Sequence, residues 1–406
     1  MGARVAILSS NFWPEQTGTS QVVGEFASYF ASRGIEVSVA TAMPYYPQWR
    51  IWDQYRGRLW HSEQLGAMKV LRSWHFVSAA PSTITRLLHE ISLSLFAVPN
   101  MIRALRRADR AYIASPALSY AFTASVIAAI LRVPRYLTVY DVMPDIAIEL
   151  GMLRSRFVIA VSRLMARCVY ALAEEVHTLG EGMQRRIARQ AGAKTRIRIV
   201  PITIDVDELT PVPEPENEFR RRFVPSGTFA VMHTGNMGKK QDLDILLRAA
   251  QRLRGEPSIH FYVFGDGAEK DTFLRHKTNM GLANVSHFPL QDRWLVPHML
   301  SGADVVLVTQ SPGVVDEVVP SKLITSLGAG AMVVAACAAD SEAAGVVHAS
   351  GGGVVVPPGD DAALADAILD VRQGRVDVMA SRCRARMYAI ENYDRRSVYG
   401  PLAQAV

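Results

Sequence analysis

Short apolar runs ending in small or turn-forming residues alternate, along almost the whole chain, with stretches whose apolar residues recur every three or four positions. That alternation is the mark of strands joined by crossover helices, which build parallel sheets covered on both faces. In the first half the strand-like runs are Arg4–Ser9, Glu36–Thr41, Lys69–Ser73, Arg110–Ser115, Arg135–Asp141, Glu175–Thr178 and Ile197–Pro201. Between the first two, Val22, Val23, Phe26, Tyr29 and Phe30 share one helical face, and Gly34 closes the helix. After Pro201 the segment Asp205–Glu218 is rich in proline and acid and reads as a linker. A second series follows: Phe229–Thr234, Ile259–Gly265, Asn284–Pro289, Asp304–Thr309, Met332–Ala336 and Gly353–Pro357. The stretch Arg382–Tyr399 reads as an amphipathic helix with Met387, Ile390 and Tyr393 on one face. The fold class expected is α/β, with two Rossmann-like doubly wound domains over residues 1–205 and 206–384 and a C-terminal helix, 385–406, packing back on the first. Two such domains facing a central cleft would bind ligands at the carboxyl ends of their strands, with a hinge around Thr203–Pro213.

The chain's 406 residues, 49% of them apolar, suffice for two or three cores and exclude a disordered chain. The longest uncharged stretch, Ala111–Leu131, is interrupted by Ser115, Pro116, Ser119 and Thr123 and reads as strand, loop and helix rather than a membrane crossing. Met1 leads within three residues into a strand-like run, so no signal peptide is expected and the chain is placed in the cytoplasm. Cys168, Cys337 and Cys383 lie far apart and form no disulfide framework or CxxC pair. The net charge of +6 conceals an asymmetry: residues 1–205 carry 24 Lys and Arg against 14 Asp and Glu, whereas residues 206–406 carry 20 against 24. A basic front half implies an anionic partner, whether nucleic acid, a membrane surface or a phosphorylated substrate. No concentrated basic stripe or recognisable module supports nucleic acid.

The loops after the strands narrow the chemistry. The first reads Ser9-Ser-Asn-Phe-Trp-Pro-Glu-Gln-Thr-Gly18-Thr19-Ser20, without the GxGxxG that a dinucleotide fold needs there, and no Walker GxxxxGK[ST] follows any strand. Gly18 and Thr19 offer backbone amides to an anionic group at a helix start. After the first strand of the second series comes Gly235-Asn236-Met-Gly238-Lys239-Lys240-Gln241, two glycines and two lysines ahead of a helix, which suits a diphosphate. The next strand ends in Gly265-Asp266-Gly267, where glycines permit close approach of a base or sugar. The run Asp316-Glu317-Val-Val-Pro-Ser321-Lys322-Leu-Ile-Thr325 enters a helix, with an acid to accept sugar hydroxyls and Ser321, Lys322 and helix amides to hold phosphate.

This ordered set of loops, with Gly345–Asp360 as a late loop and strand, resembles glycosyltransferase family 4 over nearly the whole chain. The Phe12-Trp13-Pro14-Glu15 opening, Asp141-Val-Met-Pro144-Asp145, the Gly235–Lys239 stretch and Pro320-Ser-Lys322 are similar to a bacterial branch that builds capsule, O-antigen and colanic-acid-type polysaccharides. The resemblance implies a retaining GT-B enzyme moving a hexose-type sugar from a nucleoside diphosphate donor, UDP favoured. It implies donor binding by Gly235, Asn236, Gly238, Gln241, Gly265, Asp266, Gly267, Pro289, Leu290, Ser321 and Thr325, and catalysis by Glu317, Lys239, Lys240, Lys322 and Asp141. Gly18, Thr19, Tyr140 and Asp145 are the expected acceptor contacts.

The chain departs from the family pattern at three places. Glu317 matches the first glutamate of the EX7E motif, but the second position is Thr325, whose hydroxyl bonds a ribose more weakly than a carboxylate. The usual Arg and Lys of the diphosphate loop are Asn236 and Gln241, leaving Lys239, Lys240 and Lys322 to neutralise phosphate. The frequent His-Asp of the first domain is Tyr140-Asp141, with Asp141 left to orient or deprotonate the acceptor hydroxyl.

Asp205-Val-Asp207 and Asp242-Leu-Asp244 read as capping and solvated carboxylates, and His177, His233 and His260 as satisfied structural histidines; no metal and no cofactor beyond the substrate nucleotide-sugar are expected. Residues Phe76–Arg110 mix Leu87, Leu88, Ile91, Leu95, Phe96, Val98 and Met101 with Arg86, Arg103, Arg106, Arg107 and Arg110, which suits either a core-packed helix with a solvated basic end or a lipid-linked or saccharide acceptor at an anionic membrane surface, the inner face of the plasma membrane. Trp13, Tyr45, Tyr46, Trp49, Trp52 and Trp60 offer stacking faces for the acceptor's sugar. The alternatives are a nucleotide-sugar 2-epimerase of the same architecture and a non-catalytic nucleotide-sugar-binding partner protein.

Overall fold

The computed structural model describes residues 2–15, 18–79, 83–115, 117–149, 153, 155–313 and 319–406. The chain divides into two compact units, Met1–Ile202 with Val398–Val406, and Thr203–Ser397.

The first unit holds β1 (Arg4–Leu8), β2 (Glu36–Ala42), β3 (Trp60–Leu65), β4 (Met68–Ser73), β5 (Arg110–Ser115), β6 (Arg135–Val139), β7 (Glu175–Thr178) and β8 (Ile197–Ile199). They form one sheet in the order β3-β4-β2-β1-β5-β6-β7-β8, parallel except for β3 against β4. β1 is the central strand, and the order reverses on its two sides, so the loops leaving β1 and β5 flank a crevice at the carboxyl edge. The edge strand β3 is absent from the sequence reading because its residues alternate between exposed and half-buried and include His61, Glu63 and Gln64 rather than an apolar run. Gly66, at φ +58°, makes the tight turn that returns the chain into β4.

The second unit holds β9 (Phe229–Asn236), β10 (Ile259–Asp266), β11 (Val285–Phe288), β12 (Val305–Thr309), β13 (Val333–Ala336) and β14 (Gly353–Val356). All six expected strands are present, parallel, in the order β11-β10-β9-β12-β13-β14. Counted from β9 that order is 3-2-1-4-5-6, the arrangement of a Rossmann sheet, with its switch point between β9 and β12. Val231, Ile245, Leu246, Phe261, Val263 and Leu307 are fully buried between sheet and helices. Each such side chain stabilises the unit by about 1.5–3 kcal/mol, which is why the strands read as continuous apolar runs.

The structure gives both connecting segments definite partners. The Pro- and acid-rich segment is fastened to the second unit, whose boundary falls at Thr203. Val206 and Leu209 are buried, Asp205 pairs with Arg395 at 2.5 Å, and Arg386 donates to the carbonyls of Val206 at 2.9 Å and Leu209 at 3.0 Å. The segment 385–406 is two helices, Val378–Tyr393 and Arg395–Gln404, parted at Asp394. Ala385, Ala389 and Tyr393 pack with Leu323 and Leu327 in the second unit, whereas Tyr399 and Leu402 join Phe30 and Val23 in the core of the first.

Candidate functional site

In the second unit the donor residues named above, apart from Glu317, stand at the carboxyl edge of the sheet, on the loops leaving β9, β10 and β11 and at the start of the Ser321–Gly328 helix after β12. The β9–β10 ladder runs to its last residues, pairing Gly265 with Gly235 and Asp266 with Asn236. Glycine is required there: a Cβ on Gly265 would lie 2.4 Å from the Gly235 carbonyl oxygen, and one on Gly267, at φ +153°, 2.6 Å from that of Met237. Backbone bonds from Met237 N to Asp266 O at 2.9 Å and from Glu269 N to Met237 O at 2.9 Å lock the two loops together. His287 Nε2 donates to the Gly265 carbonyl at 3.0 Å.

The lysine loop is held from the opposite side by the end of β12. Ser311 N donates to the Lys240 carbonyl at 2.9 Å, Ser311 Oγ to that of Lys239 at 2.6 Å, and the buried Thr309 hydroxyl to that of Gln241. The loop backbone is thus fixed across the switch point while the Lys239 and Lys240 side chains remain exposed. Lys322 reaches the same point from the first turn of its helix. Its Nζ donates to Gln241 Oε1 at 2.5 Å, and its Cε lies 4.0 Å from where a Gly235 Cβ would be. Desolvation pushes its ammonium down from 10.5 to about 8. Beside it His233 is fully buried and held well below the ordinary imidazole range, by burial first and by the charge of Lys322 second. A neutral imidazole and a neutral amide therefore surround a cation, an arrangement that favours arrival of an anion.

Other members are less engaged with one another. Asp266 is exposed and paired with Lys270 at 3.0 Å, which, with the Gly267 amide, holds its carboxyl below the usual range. Pro289 and Leu290 are exposed, Gln241 is half-buried, and the Thr325 hydroxyl donates to the Ser321 carbonyl of its own helix at 2.8 Å. Glu317 and Asp316 lie outside the described residues. A cavity of about 410 Å³ flanks the lysine loop, lined by Gly238, Lys239, Asp242, Asp244, Glu269 and Thr272 among others. Its three carboxylates disfavour phosphate, so the anion-compatible flank is the one Lys322 occupies. Asp244 pairs there with His276 at 2.8 Å, and Asp207 with Arg396 at 3.1 Å. No group of three or more metal-ligating side chains occurs among the described residues.

In the first unit Gly18 takes φ +49° before the Thr19–Ser32 helix, and nothing crowds the place of its missing Cβ. Tyr140, half-buried against the core, has its phenol raised by burial and is no proton acceptor at neutral pH. Asp141 is exposed, and Asp145 accepts a bond from Gln190 Nε2 at 2.6 Å.

The first unit also contains a buried polar frame in which Glu15 of the opening motif and Arg72, which no sequence pattern marks, hold backbone groups of Tyr45, Tyr46 and Trp13. Glu15 Oε1 accepts from the amides of Tyr45 at 2.7 Å and Tyr46 at 2.8 Å, and its Oε2 from Asn11 Nδ2 at 3.1 Å. Arg72, buried, donates to Glu63 at 2.5 Å and to the Trp13 carbonyl at 2.5 Å and stacks over Tyr55 at 5.2 Å. Trp13, half-buried, packs one side of its ring on Gly24, where any Cβ would fall 2.3 Å from it. The contacts of Glu15 with Tyr45 and Tyr46 and of Arg72 with Trp13 join residues 30 to 59 positions apart, and no local spacing announces them.

Two Rossmann-like units with their loops at the carboxyl edges are the architecture of the GT-B fold. HepE of Anabaena, solved in complex with UDP, has this fold with a TM-score of 0.71 and 15% identity over 100% of this chain and 99% of that one. WaaG, a glycosyltransferase involved in lipopolysaccharide biosynthesis, matches with a TM-score of 0.66 and 16% identity over 99% of each chain. A family model described as glycosyl transferases group 1 matches residues 228–373, and one described as glycosyl transferase 4-like domain matches residues 17–203. WcaI of Escherichia coli (strain K12), named as a glycosyl transferase of colanic acid biosynthesis, is 30% identical over 348 residues, 84% of each chain. WbjE of Pseudomonas aeruginosa, named as a glycosyltransferase, is 25% identical over 241 residues, 58% of this chain and 59% of its own. The chain belongs to this glycosyltransferase family.

Proposed function

We propose that the chain transfers a hexose-type sugar, with retention at the anomeric carbon, from a nucleoside diphosphate donor to a lipid-linked or saccharide acceptor in cell-surface polysaccharide synthesis. The observation that carries the donor half is Lys322: a desolvated ammonium at the β9/β12 switch point, hydrogen-bonded to a neutral amide and facing the glycine loop. A diphosphate supplies the charge that such a lysine lacks. As the bond between the anomeric carbon and the diphosphate oxygen breaks, the electron pair passes to that oxygen, and Lys322, Lys239, Lys240 and loop amides stabilise the charge that develops. The acceptor hydroxyl oxygen bonds to the same face of the anomeric carbon, its proton passing to the departing diphosphate. Asp141 orients that hydroxyl, Glu317 holds the sugar, and Ser321 and Thr325 bind the nucleotide side. UDP is the favoured nucleotide on the analogy of HepE, and the polysaccharide context follows the name of WcaI.

Thermal melting against UDP, GDP, ADP, dTDP and CMP tests the donor half, because a ligand bound by the folded state raises the melting temperature by mass action. A nucleoside diphosphate is expected to raise it in the unaltered chain and to do so far less in Lys322→Ala. Assay of transfer from the nucleotide-sugar so identified to membrane lipid extracts follows. Stabilisation by none of the five nucleotides refutes the donor site; stabilisation without transfer favours the non-catalytic nucleotide-sugar-binding reading.

A further inference from the structure

His233, in the second half of β9, is fully buried, and neither of its ring nitrogens makes a hydrogen bond among the described residues. Its place in an apolar strand suggests a satisfied structural histidine; the fold leaves it unsatisfied. Burying a polar ring without a partner costs free energy that a phenylalanine in the same place would not, so the imidazole calls for an explanation. Burial and the nearby charge of Lys322 outweigh the pull of the Leu307 carbonyl and keep the ring neutral. One nitrogen then carries a hydrogen to donate and the other a lone pair.

Alternate residues of a strand share a face, so His233 points to the same side of the sheet as Val231 and Gly235. On β12, which is in register with β9 at Val305 and Val231, that side carries Leu307 and Thr309. The lysine loop crosses over it, since the Thr309 hydroxyl donates to the Gln241 carbonyl. Gly235, the next residue along the face from His233, takes φ +111° and has no side chain. Apart from its chain neighbours, the one atom within 4 Å of the place of its missing Cβ is Lys322 Cε, at 4.0 Å. The step of the sheet beyond the imidazole is therefore unfilled and bordered by the Lys322 side chain. Lys322 Nζ has three hydrogens and gives one of them to Gln241 Oε1. Asn236 and Gln241 stand where the family usually has Arg and Lys, so a diphosphate at this loop needs donors from elsewhere, and His233 and Lys322 reach the same point from two different elements.

We propose that His233 is a ligand of the donor's diphosphate: its ring N–H donates to a phosphate oxygen seated in the step left open by Gly235, beside the Lys322 ammonium. The inference rests on the donor reading given above and adds to that site a residue from inside the strand rather than from its loops. The two side chains divide the work. Lys322 neutralises charge, while a neutral imidazole gives the same anion a directional hydrogen bond without placing a second buried cation against the first.

Isothermal titration of the full chain with UDP, pyrophosphate and uridine tests it, in the unaltered protein and in His233→Phe and His233→Gln. Phenylalanine keeps a ring and removes the donor; glutamine restores an N–H. His233→Phe should bind UDP and pyrophosphate roughly tenfold more weakly, bind uridine as before, and melt no lower than the unaltered chain. His233→Gln should recover most of the lost affinity. Equal affinity of the unaltered chain and His233→Phe for UDP and pyrophosphate overturns the inference and leaves the donor site standing. So does a lower melting temperature of His233→Phe with an equal loss of affinity for uridine, since the ring then supports the loop and does not touch phosphate. Binding of neither UDP nor pyrophosphate by the unaltered chain refutes the donor reading itself, and this inference with it.

Discussion

Replacing Lys322 with methionine should make the unliganded protein more stable while removing its response to nucleotide, a combination that a merely structural lysine would not show. The ammonium is lowered from 10.5 to about 8 by desolvation, a difference equivalent to about 3 kcal/mol. Part of its stem reaches solvent and its bond to Gln241 is lost in the variant, so about 1–2 kcal/mol should remain. For a unit of this size that is a rise of roughly 2–8 °C in melting temperature. The sign follows from proton linkage. Below about pH 8 the lysine is charged both folded and unfolded, and the whole desolvation cost is present. Between there and 10.5 the folded lysine releases its proton first, so the unfolded chain binds more protons and the unaltered protein gains stability with pH. Melting curves of both proteins near neutral pH and about two pH units higher, with and without the stabilising nucleoside diphosphate, check this. The advantage of the methionine variant should shrink at the higher pH, and nucleotide binding near pH 8 should take up a proton. A variant that melts lower at neutral pH, or that keeps its full nucleotide shift, refutes the reasoning.

Thr325→Glu, which completes the family's paired glutamates, is expected to tighten nucleotide binding by about tenfold through a charge-assisted bond to a ribose hydroxyl, measured by isothermal titration. Gly265→Ala forces a Cβ against the Gly235 carbonyl and should cost about 1–3 kcal/mol in urea unfolding together with a loss of nucleotide affinity. Glu15→Ala leaves the amides of Tyr45 and Tyr46 without their buried acceptor; a loss of about 2–4 kcal/mol in the same assay, with the nucleotide-induced shift of the second unit intact, is the expected result.

The second unit was legible almost strand by strand, because a parallel strand covered on both faces is mostly apolar, as β9, β10, β12 and β13 are up to the polar residues at their carboxyl ends and the histidines His233 and His260. The glycine and lysine loops were legible for a related reason: at a strand end, close backbone approach demands glycine, as at Gly265, whatever the rest of the chain does. β3 was not, since an edge strand needs only one buried face and its sequence can be polar. Asp394, which divides the final helices, acts through Ile204, whose backbone pairs with its neighbours in the fold but lies far off in sequence. The sequence named Lys322 as a phosphate ligand from its place before a helix, but its desolvation depends on Gln241 and His233, brought beside it by the pairing of β9 with β12. The same holds for the Arg156–Leu172 helix of the first unit. Periodicity marks Phe157, Val161 and Leu164 as sharing a stripe, yet only packing reveals that the stripe on the other side of the helix is the one that met the core. Local patterns record what each residue requires of its own backbone; what surrounds a side chain is set by residues that the fold brings from elsewhere.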